Sequence, residues 1–347
     1  MTRAMATDAA LPWLEATIAQ AQALSARSHA LLLHGAPGDG LFACAQRIVE
    51  GWLCEEGGAA AGSCGACESC RMLAGGAHPD LHRLLPEALR RQLGLAGGEV
   101  GEGAEGAEGE GGAKNKRKPS RQIRIEEVRT AIDWSATTSS RGGVKAILIH
   151  PAEAMNLQAA SALLKTLEEP PGGVRLLLAS AAPARLLPTV RSRCQVLRLQ
   201  PPDAAQARQW LREQGLQTPE ILLAACSDRP LDALEMAKAG IDAARWSALP
   251  QAVLQRQAGA LAGWAVPAVI DALLKLCHDG LALAAGATPR FFPLPALAQP
   301  TAATALADWS RELAGFARQA DHPWHEGLLL DALLARTAAA WAGEREA

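Results

Sequence analysis

Four cysteines fall close together in the first quarter of the chain, as Cys54-x9-Cys64-x2-Cys67-x2-Cys70. A Cys-x2-Cys-x2-Cys run sets three thiols on tight turns, and Gly65 lets the chain fold back between them. With Cys54 added, the set offers four sulfur ligands, which closes a tetrahedral structural zinc site and leaves no position for a catalytic water. Iron–sulfur ligation and disulfides are the alternatives at such spacing. Arg71 is the one basic residue close by, whereas Glu55, Glu56 and Glu68 surround the cluster. That charge pattern suits a stabilising clip better than a nucleic-acid-binding finger. His78 and His82 read as packing or surface residues, and the scattered Cys44, Cys194, Cys226 and Cys277 as small buried hydrophobes.

A second constellation is His34-Gly35-Ala36-Pro37-Gly38-Asp39-Gly40-Leu41-Phe42. It follows an apolar strand, precedes a helix, and holds Gly35 and Gly40 at the spacing of a phosphate-binding loop. The lysine that would reach the β/γ-phosphates is replaced by Leu41, and the hydroxyl that would bind Mg²⁺ by Phe42. Backbone N–H groups at a helix N-terminus still favour anions, so weak nucleotide binding is conceivable here and hydrolysis is not. An ordinary Gly/Pro turn is the bland alternative. The apolar run 144–150 ends in His150-Pro151 where an ATPase needs its acidic pair, and Glu153 lies too far along to substitute. Farther on, Arg191 and Arg193 flank Ser192 just before a strand. Taken by themselves they read as solvent-facing arginines.

The elements that must position these residues follow from periodicity. The runs ALLLH (30–34), VKAILIH (144–150), VRLLLAS (174–180) and QVLRL (195–199) read as strands buried on both faces. Helical spacing falls between them, as in Leu157, Ala160, Leu163, Leu164 and Leu167, and the alternation predicts a parallel α/β sheet covered on both sides. A Gly/Glu/Ala tract and a basic stretch (114–121) make 90–120 a disordered insertion with nothing to bury. After Gln200 the strands stop. Linkers near 200 and 243 predict domains at 1–199, 200–243 and 244–347, with Pro267 and the FFPLP stretch (291–295) interrupting the last. The 347 residues are 49% hydrophobic and 20% charged, with a formal net charge of −2, which gives no support for broad adhesion to nucleic acid or anionic membrane. Without a secretory signal or a membrane-length apolar run, a cytoplasmic setting with reduced cysteines is expected.

One stretch is more specific than any of these: Ser161-Ala-Leu-Leu-Lys165-Thr-Leu-Glu168-Glu169-Pro170-Pro171, then LLLAS (176–180) and ARLLPTVRSRC (184–194). Here the chain resembles the bacterial clamp-loader AAA+ family. The altered phosphate loop, the cysteine cluster and Pro79-Asp80 after Ala77-His78 narrow the resemblance to its delta-prime branch. The resemblance covers nearly all of 28–200 apart from the insertion. It implies a RecA-like AAA+ domain with a zinc module, a small helical lid (200–243) and a helical collar (244–347). It also implies structural zinc on Cys54, Cys64, Cys67 and Cys70, no functional ATP at Gly35, Gly40, Leu41 and Phe42, and a relic sensor at Ser180. Arg193 would be an arginine finger acting on a neighbouring subunit. The implied partners are motor and clamp-opening subunits in a hetero-pentamer, with the sliding clamp and primed DNA reached through the complex. Two competing readings are an active AAA+ ATPase with an atypical site and a zinc-dependent nucleic-acid-binding protein.

Overall fold

Aliphatic runs without a polar break are what parallel strands need when helices cover both faces. In the computed structural model, which describes residues 11–56, 62–95, 119–318 and 324–343, three of the four predicted runs supply such a stretch, at 30–33, 146–149 and 176–179, each buried throughout. The chain divides into two compact units, Met1–Pro202 and Asp203–Ala347.

The first unit opens with α1 (Glu15–Ser25), β1 (Ala30–His34), α2 (Leu41–Leu53) and α3 (Glu68–Ala74). Then come β2 (Leu81–Leu84), α4 (Glu87–Gln92), α5 (Ile125–Ser135), β3 (Lys145–Ile149) and α6 (Leu157–Glu168). It closes with β4 (Val174–Ser180), α7 (Pro188–Arg191) and β5 (Gln195–Arg198). The strands form one parallel sheet in the order β2-β3-β4-β1-β5. Ala30, Leu32, Ile147, Ile149, Leu176 and Leu178 point to the face covered by α5 and α6. Leu31, Leu33, Leu148 and Leu177 are buried on the opposite face, which α2 covers.

In this first unit sequence and structure part in four places. β2 carries His82 and Arg83 on the sheet edge, so it shows no apolar run. β5 is the other edge, and of its four residues only Leu197 is buried, against the expectation of a strand covered on both faces. On α6 the predicted stripe buries Ala160, Leu163 and Leu167, but Leu157, in the first turn, is 67% exposed. The insertion read as 90–120 lies outside the described residues at 96–118, while α4 continues through Gln92 and the Ser120 N–H donates to Glu87 at 3.2 Å.

The second unit is helical: α8 (Ala204–Glu213), α9 (Pro219–Ala225), α10 (Pro230–Lys238), α11 (Ala243–Leu254), α12 (Val266–Ala284), α13 (Ala303–Arg318) and α14 (Glu326–Ala342). Pro267 does not interrupt it. It lies in the first turn of α12, where a missing N–H costs nothing. The fully buried Asp279 accepts the backbone N–H groups of Arg290, Phe291 and Phe292 at 2.7–2.8 Å, which holds Phe292 against Trp246 with ring centroids 4.5 Å apart.

Candidate functional site

The four cysteines converge because Cys54 caps the end of α2, Cys67 caps the start of α3 with Cys70 in its first turn, and Cys64 lies in the short bend just before Cys67. Gly65 takes φ +71° in that bend, a conformation glycine reaches without penalty. All four sulfurs lie within 4.8 Å of one another, with Cys54–Cys67 at 4.0 Å and Cys64–Cys70 at 3.9 Å. A single ion about 2.3 Å from each sulfur sets the sulfurs about 3.8 Å apart, so the cage fits one tetrahedral metal. A four-iron cluster needs more room, because each thiolate then binds a different iron at the outside of the cube. Disulfides do not form: all eight cysteines are free. The amides of Cys64, Cys67 and Cys70 donate to Sγ of Cys54, Cys64 and Cys67 at 3.3–3.4 Å. Such donors favour thiolate, and the Cys70 amide holds the Cys67 thiol well below its ordinary value. Burial pushes Cys44, Cys194 and Cys277 up to about 12 and Cys226 to about 11, and inside the cage it raises Cys70 to about 12 as well, so it is the convergence of the four sulfurs and not their thiol shifts that sets the cage apart.

A polar ring ties this cage to the sheet. Glu55 accepts from Ser69 Oγ at 2.9 Å and from Arg141 Nε at 2.7 Å, and Arg141 Nη2 also bonds Glu68 at 2.9 Å. The Asp80 N–H donates to His78 Nδ1 at 3.1 Å, so the proton of the neutral ring sits on Nε2, which faces Ser69 Oγ at 3.1 Å. Asp80, 1% exposed, accepts from Ser139 Oγ, Ser140 N and Arg141 N at 2.8–3.0 Å. Burial acts to raise the Asp80 pKa, but these donors outweigh it and hold the carboxyl below its ordinary value. His78 is therefore a buried relay between cage and sheet. Sequence reading had no signal for Arg141, which lies 86 residues from Glu55.

The glycine loop leaves β1 at the carboxyl end of the sheet, where open α/β folds bind ligands. Leu199 packs so tightly on Gly35 that a Cβ there would meet Leu199 Cβ at 2.6 Å, and Gly40 takes φ +94° to turn into α2. The loop is wound on itself. Asp39 N donates to Ala36 O at 3.1 Å, Gly40 N to Pro37 O at 3.0 Å, and Gly35 N to Ser180 O at 3.4 Å. Leu41 is fully buried, and the Phe42 ring stacks on His150 with centroids 4.8 Å apart. Burial lowers the His150 pKa, so at neutral pH this ring is uncharged. Glu153 accepts the Ala181 N–H at 3.0 Å through Oε1, and its charge acts on His150 in the direction opposite to burial. Phe42 and His150 thus form an aromatic pair beside the carboxyl ends of β1 and β3.

Arg193 stands at the other end of the sheet. β5 begins beside Leu31 of β1 and ends beside His34, so the turn carrying Arg193 lies at the amino end of the strands and the glycine loop at the carboxyl end. The five residues of β1 separate them by about 16 Å of extended chain. Val190 (0% exposed) and Cys194 (8%) anchor the turn in the core on either side of Arg193.

Residues 13–203 match the family described as DNA polymerase III, delta subunit. DNA polymerase III subunit delta' of Pseudomonas aeruginosa is 37% identical over 234 residues, which cover 66% of this chain and 62% of that protein. The same subunit of Escherichia coli strain K12 is 29% identical over 293 residues, 78% of each chain. Escherichia coli subunit tau is 30% identical over 183 residues, 53% of this chain and 23% of tau. The solved structure of a DNA polymerase III gamma subunit-related protein from Thermotoga maritima covers 94% of this chain and is itself covered to 99%, at 17% identity and a TM-score of 0.48. Among the described residues no helix is long and apolar enough to cross a membrane. The chain spans just under two thirds of the Pseudomonas aeruginosa subunit, and a family match over more than half the chain, running through both the cysteine cage and the Arg193 turn, places the protein: it belongs to the DNA polymerase III delta-subunit family and is delta-prime-like.

Proposed function

We propose that the chain is a non-hydrolysing stator of a cytoplasmic clamp loader, which takes no ATP of its own and lends Arg193 to the ATP of an adjacent motor subunit. The single observation that carries this reading is the separation of the two ends of the sheet. In the chain's own loop the Gly35, Asp39 and Gly40 amides are already bonded to backbone carbonyls, and Phe42 stacks on His150. Arg193 sits about a strand's length away, where it faces outward and cannot reach that loop. An arginine so mounted can reach a phosphate only on a second molecule. A finger of this kind stabilises charge on the phosphoryl group in flight and is worth roughly 10³–10⁵ in rate at one site.

Under the same reading, Cys54, Cys64, Cys67 and Cys70 hold a structural zinc. The ion supplies no chemistry beyond fixing α2, α3 and the turn between them. Residues 200–243 act as the lid and 244–347 as the collar that joins the chain to motor and clamp-opening subunits in a hetero-pentamer. That assembly places the sliding clamp on primed DNA during replication.

The test is Arg193→Ala in the reconstituted complex. Zinc content and assembly are expected to stay at parental levels while clamp- and DNA-stimulated ATP hydrolysis and clamp loading fall. The fall stays short of one full finger because other motor sites keep their own arginines. Arg193→Lys should rescue poorly, since an ammonium lacks the planar fork that grips two oxygens. A parental rate for Arg193→Ala in every clamp and DNA condition would remove the finger from the reading.

A further inference from the structure

The guanidinium of Arg193 is held rather than free. Its Nε donates to Glu168 Oε1 at 2.6 Å, Nη2 is ion-paired with the same oxygen, and Nη1 donates to the Thr189 carbonyl at 2.9 Å. Arginine carries five N–H donors, one on Nε and two on each terminal nitrogen. Glu168 and Thr189 take one from each nitrogen. One N–H on Nη1 and one on Nη2 remain, with Ser192 Oγ at 3.5 Å from Nη1, at the outer limit of a hydrogen bond. Those two N–H groups belong to the terminal nitrogens, the pair that grips phosphate oxygens in a fork. Glu168 binds the side of the guanidinium and leaves its tip available.

Glu168 is itself well supported. It is the last residue of α6; Leu167, just before it, is 1% exposed, and the Leu167 carbonyl lies 2.7 Å from His29 Nε2 at the entry to β1. α6 also packs on α7, the helix that leads into the arginine turn. Carboxylate and guanidinium therefore project from two elements locked in one core, yet both side chains are partly open to solvent (48% and 33% exposed). A pair so exposed contributes little to stability. What it does is restrict a long, rotamer-rich side chain to one direction.

We infer that Glu168 is the positioning residue of the trans arginine: it grips the Nε–Nη2 side of Arg193 and thereby aims the remaining terminal N–H pair at a neighbour's phosphate. The inference rests on the finger reading of Arg193, and its test separates the two. Glu168→Ala, Glu168→Gln, Arg193→Ala and the double variant Glu168→Ala/Arg193→Ala are compared in the reconstituted complex by clamp- and DNA-stimulated ATP hydrolysis over a range of ATP concentrations. Glu168→Ala should lower kcat about three- to fivefold with KM for ATP unchanged, the scale of one exposed charge pair. Glu168→Gln, which keeps an acceptor oxygen, should retain most of the rate. In the Arg193→Ala background, removing Glu168 should cost nothing further, because a positioning residue without its arginine has nothing to aim. A parental kcat for Glu168→Ala, a raised KM in place of a lowered kcat, or losses that multiply in the double variant each overturn the inference. If Arg193→Ala alone runs at the parental rate, the finger reading itself fails instead.

Discussion

Asp80 offers the sharpest test of how the cysteine cage is fastened to the sheet. Its carboxylate receives Ser139 Oγ at 2.9 Å, Ser140 N at 2.8 Å and Arg141 N at 3.0 Å from one short loop. Bonds to a charged acceptor are worth about 1.5–3 kcal/mol each. Ser140 and Arg141 are exposed, so water can replace part of what Asp80→Ala removes, and about 1 kcal/mol per bond is the better figure. The loop should then open about 3 kcal/mol more easily, or roughly 10²-fold more often. The assay is hydrogen exchange of the Ser140 and Arg141 amides in the full-length chain, with zinc loss to a chromogenic chelator followed in parallel. Arg141 leaves Glu55 and Glu68 when the loop opens, so zinc loss should also quicken. The pH dependence carries a sign. Because the folded Asp80 pKa is lowered, its stabilisation is complete above the unfolded value of about 3.9. It disappears as the pH falls from there through the lower folded value, while exchange in Asp80→Ala, corrected for intrinsic rate, shows no such step. Parental exchange of Ser140 and Arg141 in Asp80→Ala would refute the argument.

Two further outcomes follow from the cage and the loop. Freshly reduced protein should carry about one zinc per chain, and Cys67→Ser should loosen it and destabilise the first unit, because structural metal binding is coupled to folding; iron in elemental analysis would redirect the assignment. The pair Leu41→Lys/Phe42→Thr restores the residue types of a phosphate loop, yet calorimetry should detect no ATP binding, since the Asp39 and Gly40 amides stay in their own turn and His150-Pro151 supplies no carboxylate. The same pair should lower stability measurably, because a lysine ammonium at the fully buried position 41 must be desolvated or neutralised; ATP turnover that follows this variant through purification would show the loop to be open.

How much of this could be read from residues alone depended on the range of the interaction. β1, β3 and β4 were legible because their stretches 30–33, 146–149 and 176–179 are apolar and buried on both faces. β2 was not, because an edge strand can carry His82 and Arg83, and β5 looked more buried than it is because Val196 and Leu197 mimic a core run. The cysteine cage was legible because metal ligands on turns must be close in sequence. The ring through Asp80 and Arg141 joins residues 59–86 positions apart, and no local pattern announces such a pair. The missing lysine and hydroxyl at Leu41 and Phe42 were plain, whereas the stacking of Phe42 on His150 and the closure of the loop amides appear only once β1 and β3 are folded into one sheet.

The opposite placement of loop and arginine also has a topological consequence. When one end of a folded unit meets the opposite end of the next, the contact is heterologous and the series has a direction. In such a series each member reads the nucleotide on one side and is read on the other. A member with Arg193 but a filled loop keeps only the first of those roles. It can act on a neighbour's nucleotide and offers none of its own to be acted on. Inserted among motor subunits it would break the relay, and at the end of the line it terminates the relay without loss. On the reading proposed for Arg193, that makes this chain an end-piece, and the polarity of its sheet decides which end.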